Sequence, residues 1–353
     1  MAETIALVGG ETLLGREVRE VFGETALGRN LQLFGGEPEL ADPALGDIAQ
    51  DAVKKTVAKK KAVGRSISGK IIEIDGAAEF LARLTPDALQ SADFIILAGG
   101  KLRTEALEAN PDSVIVDLTY SLEDDPDARL RAPLAEAGYS NDDPGPVIVA
   151  HPAAVAIAMV LGRLNTTYPI TNAAIHIFEP ASERGKEGMD ELQTQTVSLF
   201  SFQPLPKAVF DTQLSFAMLP RLGDRAKPTL EDVEDRIERH LATLLDRLGG
   251  IPMPSIRLIQ APVFHGHSFS LWIEFEDAPT VAEIEDALAG QSIDVRSADH
   301  EAPSNLAVAA QAGVMVGSIA PDRNNSNAAW IWMAADNLRL MAENAAAIIN
   351  ERL

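Results

Sequence analysis

The chain has 353 residues, of which 46% are hydrophobic and 23% are charged, a composition typical of a folded protein with two domains. The net charge of −22 at pH 7 repels phosphates and anionic lipid, so neither nucleic acid nor membrane is an expected partner. The sequence has no cysteine, which excludes disulfides, thiolate metal sites and a thiol nucleophile.

The first half of the chain alternates short β-rich runs with helical stretches. This alternation predicts parallel strands joined by crossover helices, in a doubly wound sheet of the nucleotide-binding type. Strands are predicted at 4–8, 31–34, 70–74, 94–97, 114–116 and 147–150, and helices at 13–22 and 103–109. Between the second and third strands, residues 51–61 form a basic run, Lys54 to Lys61, which is either a solvated insertion or a docking surface for an acidic partner.

The second half predicts longer strands with alternating polarity. Residues 268–275 alternate polar and apolar side chains, which indicates an antiparallel sheet with one solvent-facing side. Helices are predicted at 186–199, 230–248 and 281–288, followed by a closing helix at 337–352. A mixed sheet with helices on one side therefore forms a second domain.

A glycine-containing turn follows the first predicted strand. Residues 9–15 lead into a helix whose N-terminal amides could contact a pyrophosphate. Thr12 stands where the dehydrogenase pattern has glycine, and Glu37 is the one acidic candidate for the ribose hydroxyls. Two alternatives stay open: the domain binds NAD or NADP, or it keeps the nucleotide-binding fold without a nucleotide.

No metal site and no membrane anchor are expected. The six histidines lack HExxH spacing, although His265 and His267 could share one face of a strand. The N-terminal residues carry no basic start or cleavage pattern, so we expect a cytoplasmic protein. Apolar stretches such as 153–161 are shorter than the roughly 20 residues that span a bilayer.

The residues that carry a family resemblance lie in five segments, 5–18, 98–100, 185–196, 262–268 and 335–339. Their order and approximate spacing resemble those of aspartate-semialdehyde dehydrogenase, and the resemblance runs almost end to end. Segments 214–220 and 260–264 are most similar to the Usg-type members, which also lack the active cysteine. The resemblance implies a Rossmann-type NAD(P)-binding-like domain at 1–150 and 335–353, and an α+β mixed-sheet dimerisation and substrate domain at 151–334.

The resemblance also implies a cofactor site and a dimer. The implied cofactor is NADP or NAD, and the alternative is that the chain binds no cofactor. A homodimer is expected through the sheet of the second domain, with the apolar members of 268–275 contributing to the interface. The implied cofactor-binding residues are Gly9, Gly10, Thr12, Leu13, Gly15, Gly99, Gly100 and Asn337.

The family's catalytic positions are mostly substituted in this chain. Ala154 stands in the segment that holds the family's nucleophilic cysteine, at the start of an apolar helix. Glu179 aligns with the substrate-orienting glutamine, and Gln260 aligns with the arginine that binds the substrate carboxylate. Segment 118–123 aligns with a phosphate-binding arginine but ends in Glu123, whereas His267 matches the family's acid/base histidine.

These substitutions favour a non-catalytic homologue that binds ligands or serves as a scaffold. One alternative is an NAD(P)-dependent oxidoreductase that acts without a covalent step, with His267 and Glu179 as acid and base. Another is a hydrolase in which Glu179 activates water. His267 could instead support the sheet through hydrogen bonds to backbone. The natural ligand and any protein partner are not predicted.

Overall fold

The computed structural model describes residues 3–35, 69–74, 77–84, 86–99, 112–136 and 145–353. The chain divides into two compact units. The first contains Met1–Arg129 and Asp143–Ile148, and the second contains Leu130–Asp142 and Val149–Leu353. The basic run at 51–61, the helix predicted at 103–109, Glu37 and Gly100 lie outside the described residues.

The first sheet has the strand order β3-β4-β2-β1-β5-β6-β8-β7. All the pairs from β4 to β8 in this order are parallel, and only β3 pairs antiparallel with its neighbour among the described pairings. This confirms the predicted doubly wound, Rossmann-type sheet. The strands are β1 Ile5–Val8, β2 Leu31–Phe34, β3 Gly69–Ile74, β4 Ala77–Ala82, β5 Phe94–Leu97, β6 Val114–Asp117, β7 Arg129–Arg131 and β8 Val147–Val149.

Strand β4 has no counterpart among the predicted strands. Its sequence AAEFLA consists mostly of residues that favour helices, so local propensity gives no strand signal. Pairing with β3 on one side and β2 on the other decides its conformation instead. The helices described in this unit are α1 Leu13–Gly23 and the single turn α2 Pro86–Leu89.

The second sheet is mixed, with the order β10-β9-β11-β14-β13-β12. Strands β9 and β10 are parallel, as are β12 and β13, and the central pairs are antiparallel, which confirms the predicted mixed sheet. Its strands are β9 Ile170–Glu179, β10 Ser255–Gln260, β11 His267–Phe275, β12 Ile293–Arg296, β13 Val314–Pro321 and β14 Ala328–Ala335.

The alternation in β11 has the predicted period, but its apolar side chains face inward. Phe269, Leu271, Ile273 and Phe275 are all at most 1% exposed and belong to the hydrophobic core. The prediction that the apolar members of 268–275 contribute to a dimer interface is therefore wrong for these four residues. Of the apolar side chains in β11, only Trp272 is on the opposite, partly exposed face.

A central helix, α3 Pro152–Asn165, is buried along most of its length. It packs against α5 Leu230–Arg247, α6 Val281–Leu288 and α7 Asn337–Arg352. Helix α5 begins with a capping box of Thr229 and Asp232 and buries the face that carries Val233, Ile237 and Leu241. The remaining helix of this unit is α4 Gly185–Phe200. None of the helices in the described residues is long and apolar enough to cross a membrane.

The C-terminal helix belongs to the second unit, whereas the sequence assigned 335–353 to the first domain. Helix α7 packs on α3, and Asn344 Oδ1 accepts a hydrogen bond of 3.2 Å from the Leu134 amide. Its burial includes Leu340, Met341 and Ile348. Because these contacts join segments distant in sequence, hydrophobic periodicity predicts the helix itself but not its unit.

A buried ion cluster ties this helix to residues 130–136. Glu136 has a fully buried carboxylate that binds Arg131 Nε at 2.8 Å and also binds Arg247. Arg131 Nη2 additionally lies 2.9 Å from Glu351, whose side chain is 35% exposed. Glu136 therefore balances two guanidinium groups in the interior, where an unbalanced charge is costly.

We expect Glu136→Gln to lower the free energy of unfolding by about 3 to 5 kcal/mol, since it removes the buried negative charge between two arginines. Urea unfolding monitored by circular dichroism measures this change. Glu351→Gln is the matched control, and its more exposed pair should contribute less than about 1 kcal/mol. Equal effects of the two substitutions would contradict this account of the cluster.

Candidate functional site

In the first unit, the predicted glycine turn is packed tightly against the end of β5. Gly9 has a φ of +83°, and a Cβ at this position would lie 2.6 Å from the Gly99 amide nitrogen. A Cβ at Gly15 would lie 2.0 Å from the Gly9 carbonyl oxygen. Close approach of these backbones therefore accounts for the three glycines without a bound nucleotide.

Thr12 occupies the space next to Gly99. Its hydroxyl lies 2.8 Å from the Gly9 carbonyl oxygen and 2.9 Å from the Ala98 carbonyl oxygen, and it accepts a 2.9 Å hydrogen bond from the Gly15 amide. A Cβ on Gly99 would lie 2.5 Å from the Thr12 methyl group. Thr12 thus caps α1 by accepting a hydrogen bond from the Gly15 amide, and this amide is then not available to a pyrophosphate.

Segment 118–123 is organised by a buried carboxylate at the end of β6. Asp117 Oδ1 accepts a hydrogen bond of 2.7 Å from the Thr119 amide, and its Oδ2 accepts one of 2.9 Å from the Leu122 amide. Glu123 follows within the same turn and is partly exposed. An acidic residue therefore occupies this turn, where the resemblance implies an arginine.

In the second unit, Ala154 lies in the first turn of α3, as predicted from the apolar segment. His151 caps this helix by accepting a 3.2 Å hydrogen bond from the Ala153 amide, and Pro152 opens the first turn. Ala154 and Val155 are fully buried. The side chains that follow the cap are hydrocarbons, so this helix N-terminus presents no nucleophile.

Glu179 and Gln260 lie side by side at the ends of the parallel strands β9 and β10. Gln260 Nε2 donates a 2.8 Å hydrogen bond to the Glu179 backbone carbonyl. Both side chains are buried. Glu179 Oε2 and Gln260 Oε1 have no hydrogen-bond partner within the described part of the chain. Sequence reasoning named both residues, and the sheet register brings them together.

His267 begins β11 and is 1% exposed. Its Nδ1 lies 3.8 Å from Glu183 Oε1, and its ring centroid lies 6.1 Å from that of His151. Neither ring nitrogen has a hydrogen-bond partner among the residues the structure describes. The hydrogen bonds to backbone by which His267 could support the sheet are therefore absent among the described residues.

The structure adds members to this cluster that the sequence analysis did not identify. Glu183 and Arg184 end the short 3-10 turn Ala181–Arg184, which follows β9. Glu183 Oε2 lies 3.7 Å from His151 Nε2, and Arg184 Nε lies 4.0 Å from Glu179 Oε1. The signal available in the sequence was a charged pair, Glu183-Arg184, immediately before the family-like segment 185–196.

Asn337, predicted to bind a cofactor, is committed to contacts inside the second unit. Its Nδ2 donates a 2.8 Å hydrogen bond to Glu183, and its Oδ1 lies 3.2 Å from the Ser182 hydroxyl. Asn337 therefore positions Glu183. The neighbouring Asp336 caps α7 and binds His265 Nε2 at 2.8 Å.

Burial sets the protonation states of the cluster. It raises the pKa of Glu179 to about 8, with a further rise from Glu183 and an opposing effect of Arg184. It raises the pKa of Glu183 to about 7 against the hydrogen bond from Asn337. Burial also lowers the pKa of His267 to about 3 and that of His151 well below its usual range. Near pH 7, Glu179 and both imidazoles are therefore neutral.

His265 and His267 do not form a metal site together. His265 precedes β11 and points to Asp336 and Ser182, whereas His267 lies near Glu183 and His151. Across the described residues, no group of three or more histidine, aspartate or glutamate side chains is arranged to hold a metal ion.

Comparisons with known proteins identify relatives of both kinds implied by the sequence. Residues 161–340 match the family model for the semialdehyde dehydrogenase dimerisation domain. Aspartate-semialdehyde dehydrogenase of Rickettsia bellii is 32% identical over 54% of the chain and 57% of that protein, so the alignment spans just over half of this relative. A USG-1 protein homolog of Pseudomonas aeruginosa is 28% identical over 59% of the chain and 62% of that protein.

The fold also matches a solved structure. A probable aspartate-semialdehyde dehydrogenase from Pseudomonas aeruginosa superimposes with a TM-score of 0.77 at 22% identity, covering 99% of this chain and 98% of that one. At this identity the likeness establishes the fold. The matches to the family model and to the two curated relatives confirm the resemblance to the superfamily and to its Usg-type members.

Because the unfolded chain releases the Glu179 proton near pH 4.5 and the folded chain near pH 8, the stability contributed by this proton is lost as pH rises through that window. Glu179→Gln removes the loss. We expect the free energy of unfolding of the variant, relative to that of the wild type, to rise by roughly 2 to 4 kcal/mol as the pH increases from 5 to 9. Urea unfolding at both pH values measures the gain.

Glu179→Asp is the control for this prediction because it keeps an ionisable group at the same strand end. It should retain much of the wild-type dependence on pH. A stability difference between Glu179→Gln and wild type that stays constant from pH 5 to pH 9 would show that the buried carboxyl is not protonated in the folded protein.

Proposed function

Because the chain belongs to the semialdehyde dehydrogenase family, as its match over residues 161–340 shows, we propose that it is a non-catalytic member that binds small ligands as a homodimer. The observation that supports this most strongly is Ala154 in the first turn of α3, where the resemblance implies the nucleophile. The proposal keeps the cytoplasmic location expected from the sequence.

Covalent dehydrogenase chemistry depends on a nucleophile that attacks the substrate carbonyl. Loss of a nucleophile in covalent enzymes costs on the order of a million-fold in rate. Ala153, Ala154 and Val155 offer only hydrocarbon groups at the helix N-terminus. The partial positive charge of that terminus therefore has no thiolate to stabilise.

The two catalytic alternatives are weakened by the protonation states. A general acid or base works best when its pKa is near the working pH. The pKa of His267, about 3, is far below pH 7, so this imidazole is a poor proton donor there. The pKa of Glu179, about 8, leaves the carboxyl mostly protonated at pH 7, and a protonated carboxyl does not activate water.

The described part of the glycine turn does not fit a dinucleotide well. The Gly15 amide already donates a hydrogen bond to the Thr12 hydroxyl. The backbones at Gly9 and Gly99 are in close contact with each other. Asn337 is bonded to Glu183. A bound NAD or NADP would supply hydride transfer, but we assign no step to it in this chain.

We expect the purified protein to reduce aspartyl phosphate with NADPH at no more than the background rate, because it lacks the nucleophile. Absorbance of NADPH measures the rate, with protein prepared from a host that lacks its own enzyme. Ala154→Cys restores the thiol and should still be inactive, since Glu179 and Gln260 replace the family's glutamine and arginine. A rate that increases with the concentration of pure wild-type protein would contradict the proposal.

The homodimer is supported by an apolar surface within the matched dimerisation domain. Five large apolar side chains between residues 197 and 218 are more than half exposed, and we call them the 197–218 surface. They include Phe200, 74% exposed, which contacts Phe216 edge to face with ring centroids 5.9 Å apart. The members are Val197, Phe200, Phe202, Phe216 and Met218.

This surface is held in place by buried polar groups rather than by apolar packing alone. Glu191 accepts hydrogen bonds from the amides of Ala208, Val209 and Phe210 at 2.6 to 3.1 Å. Gln195 Oε1 accepts bonds from the Leu214 and Ser215 amides at 2.7 and 3.1 Å. Apolar groups exposed in a fixed arrangement are typical of an interface.

A second copy of the chain is the partner that suits this surface. Each copy has a net charge of −22, so a contact between two copies is favoured where few like charges meet. Between residues 197 and 218 the only charged side chains are Lys207 and Asp211. An isologous contact through this surface would bury its phenylalanines against their counterparts.

We expect Phe200→Asp combined with Phe216→Asp to convert the homodimer into a monomer, because the contact would then bury four carboxylates without partners. The dissociation constant should rise at least about 100-fold in analytical ultracentrifugation. Leu306→Asp is the control, because Leu306 is 81% exposed outside the surface, and it should leave the dimer intact. A wild-type protein that is monomeric at micromolar concentration would contradict the proposal.

A further inference from the structure

The buried guanidinium of Arg184 has hydrogen-bonding capacity that the fold leaves unused. Its side chain is 6% exposed, and its carbon Cζ lies 5.9 Å from the centre of the Phe210 ring. Nη1 donates a 3.0 Å hydrogen bond to the Pro228 carbonyl. Nε and Nη2 have no hydrogen-bond partner in the part of the chain that the structure describes.

The carboxyl group next to Arg184 does not use these donors. Glu179 Oε1 lies 4.0 Å from Arg184 Nε, which is beyond hydrogen-bonding distance. Burial holds the pKa of Glu179 at about 8, so at pH 7 most of its carboxyl groups carry no charge. The guanidinium therefore keeps most of its positive charge available, although a buried cation without a close partner is costly.

Two side-chain oxygens in the same neighbourhood also lack partners. Glu179 Oε2 and Gln260 Oε1 are buried and form no hydrogen bond with described residues. The two residues are joined because the Gln260 side-chain Nε2 donates a hydrogen bond to the Glu179 backbone carbonyl. Unused donors on Arg184 and unused oxygens on two neighbouring strands call for an occupant that both accepts and donates, since buried polar groups are normally satisfied.

The unused donors of Arg184 define the charged part of the occupant. The N–H groups on Nε and Nη2 point in parallel from one edge of a guanidinium, and this edge matches the two oxygens of a carboxylate. One guanidinium beside two carboxyl groups, those of Glu179 and Glu183, suits a single negative charge better than the double charge of a phosphate.

We propose that Arg184, Glu179 and Gln260 bind a small monocarboxylate that also carries a hydroxyl or N–H donor. Arg184 holds the carboxylate through Nε and Nη2, and Gln260 Oε1 accepts the ligand's donor. This inference rests on the proposed binding function and gives its ligand class. The inference concerns only the affinity for a ligand. A failure to bind the ligand would therefore leave the proposed lack of catalysis unaffected.

Four small compounds separate the parts of this proposal on the full-length protein. Lactate carries the carboxylate and the donor, lactamide lacks the charge, propionate lacks the hydroxyl, and inorganic phosphate tests the other anion class. Saturation-transfer NMR at pH 7 and constant ionic strength measures the affinities of the three organic compounds. Phosphate has no carbon-bound proton to observe, so its affinity is measured by its competition with lactate. We expect lactate to bind at least tenfold more tightly than lactamide and phosphate, and several-fold more tightly than propionate.

Variants then assign the binding to its residues. Arg184→Gln should weaken lactate binding at least tenfold, and Arg184→Lys should weaken it less, because lysine keeps the charge but not the paired donors. Gln260→Leu should remove the preference for lactate over propionate. Arg257→Gln, which removes a 58% exposed arginine from β10, is the control and should change nothing.

The proposal is overturned if lactate and lactamide bind equally, if neither binds at 50 mM, or if phosphate binds more tightly than lactate. Circular dichroism shows whether Arg184→Gln is folded. If it is not, the comparison of lactate with lactamide on the wild-type protein decides the outcome. Turnover of aspartyl phosphate together with failure of lactate to bind would refute both the proposed function and this inference.

Discussion

The burial of a polar cluster inside the second unit is the constraint on which the site depends. Between the ends of the mixed sheet and the first turn of α3, Glu179 and His267 are 1% exposed and Glu183 is 16% exposed, so water screens their charges little. The low-polarity surroundings favour neutral acids and neutral imidazoles, which the shifted pKa values reflect. Arg184 is then the main charged group in the cluster, which is why we assign ligand binding to it.

Packing also fixes the scaffold at the positions where the family resemblance implies chemistry. Helix α3 is buried by α5, α6 and α7, so its first turn is fixed by packing and by the His151 cap whether the third helical residue is reactive or inert. Ala154 fits that packing with a methyl group. Likewise, Gly9, Gly15 and Gly99 are required by close backbone contacts within the first unit. A family-like sequence pattern at these positions therefore reports the fold and not the reaction.

The sequence predicted those elements whose signals are local. The strands at 31–34 and 94–97, helix 281–288 and helix 337–352 have the predicted bounds, because capping residues and hydrophobic periodicity mark them. Strand β4 was not predicted, because its helix-favouring composition is overridden by pairing. The unit that contains the last helix depends on contacts between distant segments, which local signals in the sequence do not report.

The site was predictable in part for the same reason. Ala154, Glu179, Gln260 and His267 could be named because they align with family motifs, and the structure brings the last three into one unit with α3. The roles of Glu183 and Arg184 could not be read from the sequence, because they arise where a short turn after β9 meets α7 and β11. Charged side chains in a turn are ordinarily solvated, and only the tertiary fold shows that this pair is enclosed.

Intact-mass spectrometry tests most directly whether the chain retains any nucleophile at its helix N-terminus. The purified protein is incubated with aspartyl phosphate, and its mass is measured before hydrolysis of any ester can occur. The account predicts an unchanged mass, because no side chain in the first turn of α3 can be acylated. A mass increase equal to one aspartyl group, mapped to the peptide that contains α3, would contradict it.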